Sequence, residues 1–240
     1  MTSQEPSSSS YTYIQEGSST FRDQPDFFQR NNLYDHAGAL SSTVGEALAD
    51  LTQAWMNERN APEILPFERD LVALLLDQVQ AQTEKMTELA ERNSINTYQS
   101  MLYQTEVERV KYVLRSYLRA RLDKIERCTL FILRQENLEE LLSISELHYA
   151  REYQDLMETH NHDSFLHRLP RSQHKQDEQG NGINMVVEPN LDAAVVCKVL
   201  KSIGHVNIGG DDILFDVNDV YLLRYRDVRE HLTARKLKLV

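Results

Sequence analysis

Glycine is scarce, eight in 240 residues. Loops that cradle phosphates are built on glycine, and neither G-x-G-x-x-G nor G-x-x-x-x-G-K-[S/T] occurs. That weighs against a nucleotide-binding enzyme. Cysteine is rarer still: Cys128 and Cys197 are the only two, too few and too far apart for a zinc cage or a disulfide framework. No apolar run reaches the roughly 18 uncharged residues of a membrane span. The polar N-terminal stretch has no apolar secretory core, so neither a transmembrane helix nor a signal peptide is expected. What remains is an acidic chain of net charge −11, with 41% hydrophobic and 26% charged residues. Such a composition supports a packed core in one or two domains of a soluble, intracellular protein.

Catalytic signatures are missing too. There is no G-x-S-x-G, neither cysteine has a local activating pattern, and no pair of carboxylates reads as an acid and a base. The one metal-like group is His160, His162, Asp163, His167 and His174. Imidazole and carboxylate are good ligands, but these lie where a helix runs into a linker, and a solvated polar stretch explains them better. No enzyme activity, cofactor or metal is expected.

The chain divides by pattern. Residues 1–42 carry Ser7 to Ser10 and Gly17-Ser18-Ser19 and bury too little to fold, so they read as a disordered tail. Phe27-Phe28 and Leu33-Tyr34 are its only apolar patches, and an inert tail accounts for them more simply than a partner-binding peptide. A helical domain is expected over 43–170. Its first helix follows a cap at Ser42 or Thr43, with Val44, Leu48, Leu51 and Trp55 on one face. Pro62 and Pro66 interrupt. A second helix opens with Glu68 and Asp70 and stripes Leu71, Leu75, Val79, Met86 and Leu89. Asn93 and Ser94 suggest the next break. The third helix runs from about Tyr98 to Gln135 and is apolar on more than one face, the mark of a central helix. A fourth begins with a capping box, Ser143-Ile144-Ser145-Glu146, and ends before Pro170. Residues 171–184 read as a polar linker.

Residues 185–240 change period. Ala194 to Leu200, Ile213 to Val217 and Val220 to Tyr225 read as strands, with a turn at Gly209 to Asp212. Asp227 to Arg235 reads as a short helix and Leu237 to Val240 as a last strand. The expected fold is mainly α: an N-terminal α-helical bundle followed by a small C-terminal β-rich domain. About 55 residues without metal or disulfide are marginal alone, so this second domain is expected to lean on a neighbour.

Charge is unevenly spread. Between Arg109 and Arg134, eight cations oppose Asp123 and Glu126, giving +6 and leaving −17 for the rest. One reading is a nucleic-acid contact by helix 109–134. The other is ion pairing within or between subunits. The second is favoured, because Arg115, Arg119, Arg121, Lys124 and Arg127 girdle the helix and do not share one outer face.

Two strings are unlike generic helices: Trp55-Met-Asn-Glu-Arg-Asn-Ala-Pro-Glu-Ile-Leu65 and Glu106-Val-Glu-Arg-Val-Lys-Tyr-Val-Leu-Arg-Ser-Tyr-Leu-Arg-Ala-Arg-Leu-Asp-Lys-Ile-Glu126. They resemble the subunits of the eukaryotic DNA replication complex GINS, and among these the Sld-five family. The resemblance spans about 44–240 and includes the order, helices first and β domain last. It implies a non-catalytic scaffold in a heterotetramer with the three Psf subunits. It also implies a place in the nuclear replicative helicase with the MCM ring and the Cdc-forty-five protein, polymerase epsilon being reached indirectly. Direct DNA contact is left open. The signature positions are Trp55, Asn57, Glu58, Pro62, Glu63, Glu108, Arg109, Tyr117, Arg119, Arg121, Leu122 and Lys124, with Leu239 and Val240 as a docked chain end. A structural or assembly role is expected for each, burial in its own domain and contact with another subunit being equally open. Some relatives carry an acidic-hydrophobic peptide near the N-terminus for a replisome hub. Residues 1–42 hold no clear equivalent, and Asp211-Asp212-Ile213-Leu214 reads as a turn entering a strand.

Overall fold

A computed structural model describes residues 33–91, 97–171, 174, 186–208 and 211–240, with side chains placed from residue 45 onward except at Asp211. Helix α1 spans Leu33–Asn60, α2 Arg69–Glu91, α3 Thr97–Arg127, α4 Thr129–Leu133, α5 Leu138–Leu141 and α6 Ile144–Ser164, which a 3-10 turn at Leu166–Arg168 follows. The strands are β1 Ala194–Val199, β2 Gly204–Ile208, β3 Asp211–Phe215, β4 Val220–Arg224 and β5 Leu237–Leu239, with α7 Tyr225–Thr233 between the last two. The molecule is therefore mainly α, a helical bundle followed by a small β-rich region. All packing described below lies within Ser42–Val240, one compact unit.

The stripes read from the sequence build the bundle. Leu48 and Leu51 of α1 are buried against Val72 and Leu75 of α2 and against Val110, Val113, Leu114 and Tyr117 of α3. Val72, absent from the expected stripe, is buried, whereas Leu71 and Val79 only flank the core. A second apolar cluster joins Ile64, Ile125, Ile132, Leu142 and Ala150.

Within the bundle, two helix boundaries and one extra element differ from expectation. Helix α1 begins at Leu33 rather than after a cap at Ser42 or Thr43. The spacing of its stripe simply continues backward through Leu40, Ala37 and Leu33 in steps of four, three and four, so 33–42 of the expected tail are helical. The third helix stops at Arg127 and does not reach Gln135. Cys128 leaves helical geometry at φ −125° and ψ 32°. Beside it the Thr129 hydroxyl donates to the Ile125 carbonyl at 2.6 Å, offering the backbone a competing bond. The chain then restarts as α4. The short α5 was not foreseen; its four residues are too few to show a period. The expected tail before residue 33, the break at Asn93 and Ser94, the Gly209-Gly210 turn and most of the 171–184 linker lie outside the described residues.

The capping box of α6 forms as its sequence suggests. The Ser143 hydroxyl accepts from the Glu146 N–H at 3.1 Å, and the Glu146 carboxylate accepts from the Ser143 N–H at 2.9 Å. Replacing Ser143 by alanine removes one of the two bonds. A loss of about 1 kcal/mol in chemical denaturation is expected.

In the β-rich region, β1 pairs antiparallel with both β4 and β5, in the order β4-β1-β5, and β2 pairs with β3. Strand β2 was not anticipated: His205 to Ile208 alternate for only two periods. The core is Val195, Cys197, Val199, Phe215, Tyr225, Val228, Leu232, Leu237 and Leu239, and it includes Ala61 from the segment after α1. Leu65 packs on the same core. The expected reliance of this small region on a neighbour is therefore met by the chain's own segment 61–65.

Candidate functional site

The most elaborate polar site is wholly internal. Arg121, in the C-terminal part of α3, is 0% exposed and has Glu58 of α1 and Glu146 of α6 beside it. A guanidinium has five N–H donors, and all five are engaged. Nε donates to Glu146 Oε1 at 2.8 Å. One terminal nitrogen donates to Glu58 Oε2 at 3.2 Å and to the Leu65 carbonyl at 2.6 Å. The other donates to the Leu141 carbonyl at 2.7 Å and to Glu146 Oε2 at 3.2 Å. The group also lies 5.1 Å from the Phe67 ring centre and 5.7 Å from that of Tyr117, within cation–π reach. Only a planar fork can serve two carboxylates and two carbonyls at once.

Lys124, one turn further on, extends the cluster. Its ammonium donates to Glu58 Oε1 at 2.8 Å and to the Glu63 carbonyl at 2.7 Å. Glu58 thereby holds two cations, and both its oxygens also face the Leu65 N–H, at 3.4 and 3.5 Å. Tyr117 accepts from the Glu68 N–H at 3.3 Å and stacks on Phe67. The connection from α1 to α2, with its prolines, is thus pinned by side chains of α3.

From this cluster a second set of contacts reaches the β-rich region. Glu63 Oε1 accepts from the Tyr225 hydroxyl at 2.7 Å and from Arg229 Nε at 2.6 Å. Arg235 makes two bonds to Glu68, at 2.7 and 2.9 Å. At the outer edge of β5, Asn57 Oδ1 accepts from the Leu239 N–H at 2.9 Å, and Gln53 Nε2 donates to the Leu239 carbonyl at 3.3 Å. Two amide side chains on α1 so replace the missing strand neighbour at a sheet edge. Leu239 is buried, while Val240 continues the pairing through a 3.0 Å bond to Val196 and leaves its side chain exposed.

The expected signature residues therefore separate. Asn57, Glu58, Glu63, Tyr117, Arg121, Lys124 and Leu239 come together in one connected lock. Leu122 joins the Ile125 cluster, Trp55 meets Tyr112 edge-on at 6.2 Å, and Pro62 is half-buried in the pinned connection. Glu108, Arg109 and Arg119 are exposed and stay outside it. Gln53, Glu68, Glu146, Tyr225, Arg229 and Arg235 belong to the lock and were not singled out as site residues. Glu146 had a signal as the acid of the capping box, but nothing nearby in sequence points it at Arg121.

At least six of the eight cations between Arg109 and Arg134 have carboxylate partners in the chain, which favours ion pairing over a free basic face. Arg109 pairs with Glu106, Lys111 and Arg115 with Glu108, Arg127 with Asp123, and Arg121 and Lys124 as above. The histidine group holds to backbone instead: His167 Nδ1 lies 2.9 Å from the His162 carbonyl and His174 Nε2 2.9 Å from that of Leu169. Among the described residues no set of three or more such side chains could hold a metal ion, and no helix is long and apolar enough to cross a membrane.

Burial shifts the titrations. It pushes the Tyr117 phenol up to about 12 against the pull of Arg121. Burial, then the hydrogen bond to Glu63, raises Tyr225 further. Burial draws Lys124 down, and Glu58 partly restores it. For Arg121 burial acts downward, but Glu146 and Glu58 outweigh it and the net shift is upward. A phenol with a raised folded value contributes stability that is complete below its unfolded value, about 10, and is lost as pH climbs through the folded one. Lys124, drawn below its ordinary value of about 10.5, acts oppositely, and its effect is complete by that pH, below most of the range in which the phenols lose theirs. The melting temperature is expected to fall as pH climbs above about 10. Tyr225→Phe should flatten part of that fall, and a wild-type profile level to pH 11.5 would contradict the assignment.

Fold and lock together define a helical-bundle protein with a docked β-rich appendage, its best-built polar site devoted to holding itself together. Comparison with known proteins finds one family match in the helical part of the chain and another in its β-rich part. Residues 73–165 match the GINS complex protein helical bundle domain, and 189–240 match the C-terminus of the DNA replication complex GINS protein SLD5. The chain is similar to the DNA replication complex GINS protein sld5 of Schizosaccharomyces pombe, 37% identical over 80% of this chain and 90% of that one. It is also similar to the SLD5 proteins of Chaetomium globosum, 36% identical over 80% and 90%, and Mus musculus, 30% identical over 82% and 91%. The chain belongs to the SLD5 family of DNA replication complex GINS proteins.

Proposed function

We propose that the chain is a non-catalytic scaffold subunit of a GINS heterotetramer, assembled with three Psf subunits and acting in the nucleus. In that reading the tetramer joins the MCM ring and the Cdc-forty-five protein as the replicative helicase and serves initiation and fork progression. The observation that carries it is the exposure of large apolar side chains along the long helices α2 and α3. Leu74, Leu76, Met101, Leu102 and Tyr103 are all exposed there. Several large apolar side chains left open to solvent on two long helices suit burial against another subunit. The internal lock supports the same reading, since charges that are fully paired inside a chain are structural and leave no reactive group. Glu108, Arg109 and Arg119, exposed on α3, are proposed to contact other subunits, whereas Trp55, Pro62, Leu122 and the lock residues act by shaping this one.

Co-expression with the three Psf subunits, followed by native mass spectrometry, tests the reading. A stable 1:1:1:1 complex is expected. A well-behaved monomer that ignores all three would refute it. The alternative of an independent nucleic-acid module on helix 109–134 requires salt-sensitive DNA affinity from the lone chain, lost in Arg119→Glu.

A further inference from the structure

The β-rich region presents a second surface that the chain does not cover among its described residues. In the sheet β4-β1-β5, alternate residues Val195, Cys197, Val199, Leu237 and Leu239 face the core. Their neighbours face outward. Register places Leu222 opposite Val196, and the bond from Val240 to Val196 carries the same row onto β5. The next row sets Val220 opposite Lys198 and Lys198 opposite Lys238. The first row is aliphatic and open: Leu222 is 68% exposed, Val240 55% and Val196 39%, with Val220 beside them at 57%.

A solvated outer face should be polar, so four open aliphatic side chains there need a reason. The second row needs one as well. Two lysines directly opposite on one face repel. Neither Lys198 nor Lys238 has a carboxylate partner among the described residues, although most cations of α3 are paired. The surface thus combines an apolar row with an uncompensated positive pair.

We infer that this sheet face is a docking site for an acidic amphipathic helix of a partner subunit. Its apolar side chains would lie along Leu222, Val196 and Val240, and its carboxylates on Lys198 and Lys238. The dimensions match. Three strands place the row's ends about 9.6 Å apart, and residues i and i+7 of a helix are about 10.5 Å apart. A second copy of this chain would bring lysines against lysines. A nucleic acid would satisfy the lysines but leave the aliphatic row facing a phosphate backbone. The partner being a subunit of the assembly proposed above, the inference rests on that reading.

Lysine acylation of the purified four-subunit complex, read by mass spectrometry beside the chain alone, tests it. Lys198 and Lys238 should react at least about tenfold more slowly in the complex, with exposed Lys236 unchanged. The double variant Lys198→Glu/Lys238→Glu should weaken assembly by about tenfold or more. Leu222→Ser should do the same with no cation removed, and circular dichroism confirms that each variant folds. A complex that assembles while both lysines stay as reactive as in the free chain, and that tolerates both variants, overturns this inference and leaves the subunit reading standing. Failure to form any complex overturns both. Salt-sensitive DNA binding abolished by the double variant would give the lysines to nucleic acid and overturn the helix.

Discussion

Arg121→Met is expected to cost about 3–5 kcal/mol, the largest loss of any single substitution in the chain. The arginine side chain is completely buried, and removing it leaves Glu146 within the protein with no cation. Two backbone carbonyls, of Leu65 and Leu141, lose their donor in the same step. Since whole domains are stable by only about 5–15 kcal/mol, the variant sits near the edge of folding. A drop in melting temperature of roughly 6–20 °C follows for a chain of this size.

The cost should come from the stranded carboxylate more than from the lost attraction. Glu58 keeps Lys124 at 2.8 Å, so Glu146 is the group left alone. Arg121→Met with Glu146→Gln should therefore be more stable than Arg121→Met by itself, because the orphaned charge is gone. The glutamine oxygen can still accept from the Ser143 N–H, so the helix cap survives. Arg121→Lys should fall between wild type and methionine: it restores a charge but has three donors for five sites. A double variant no more stable than the single one would show that stranded charge is not the dominant cost.

What was legible in the sequence follows the range of each interaction. The stripe of α1, the cap of α6 and the alternation of β1 are local patterns, and each appears where its spacing puts it. The break at Cys128 was not legible, because Thr129 bends the chain through a hydroxyl that any helix might have turned to solvent. The lock was half legible. Arg121, Glu58, Asn57 and Glu63 belong to strings that resemble a family, so they were marked, as was Leu239 at the chain end, but which residue pairs with which was not, and Glu146 and Tyr225 went unmarked. Glu146 is 25 positions from Arg121, Tyr225 is 162 from Glu63 and Leu239 is 182 from Asn57. No periodicity spans such distances. The positive window 109–134 illustrates the same limit. Its charge excess was plain, but which cations turn inward depended on α1 and α6 closing over one face of α3.

Breaking the lock at its other end should release the β-rich region while sparing the bundle. Glu63→Ala removes the acceptor shared by Tyr225 and Arg229, and the Tyr225 hydroxyl is then left without this partner beside a buried ring. A loss of about 1–3 kcal/mol is expected. Asn57→Ala strips the Leu239 N–H of its acceptor and should cost a similar amount, and together the two should cost roughly 2–6 kcal/mol, because their hydrogen-bond partners are distinct. The signature is spatial. Hydrogen exchange should quicken at Leu239, along β5 and through α7, where opening of the appendage becomes cheap, while the amides of α3 around Val113 and Tyr117 keep their protection. Uniform loss of protection would mean that bundle and appendage unfold as one unit, and no loss at all would mean that Ala61 and Leu65, by packing on the β core, suffice to hold the appendage in place.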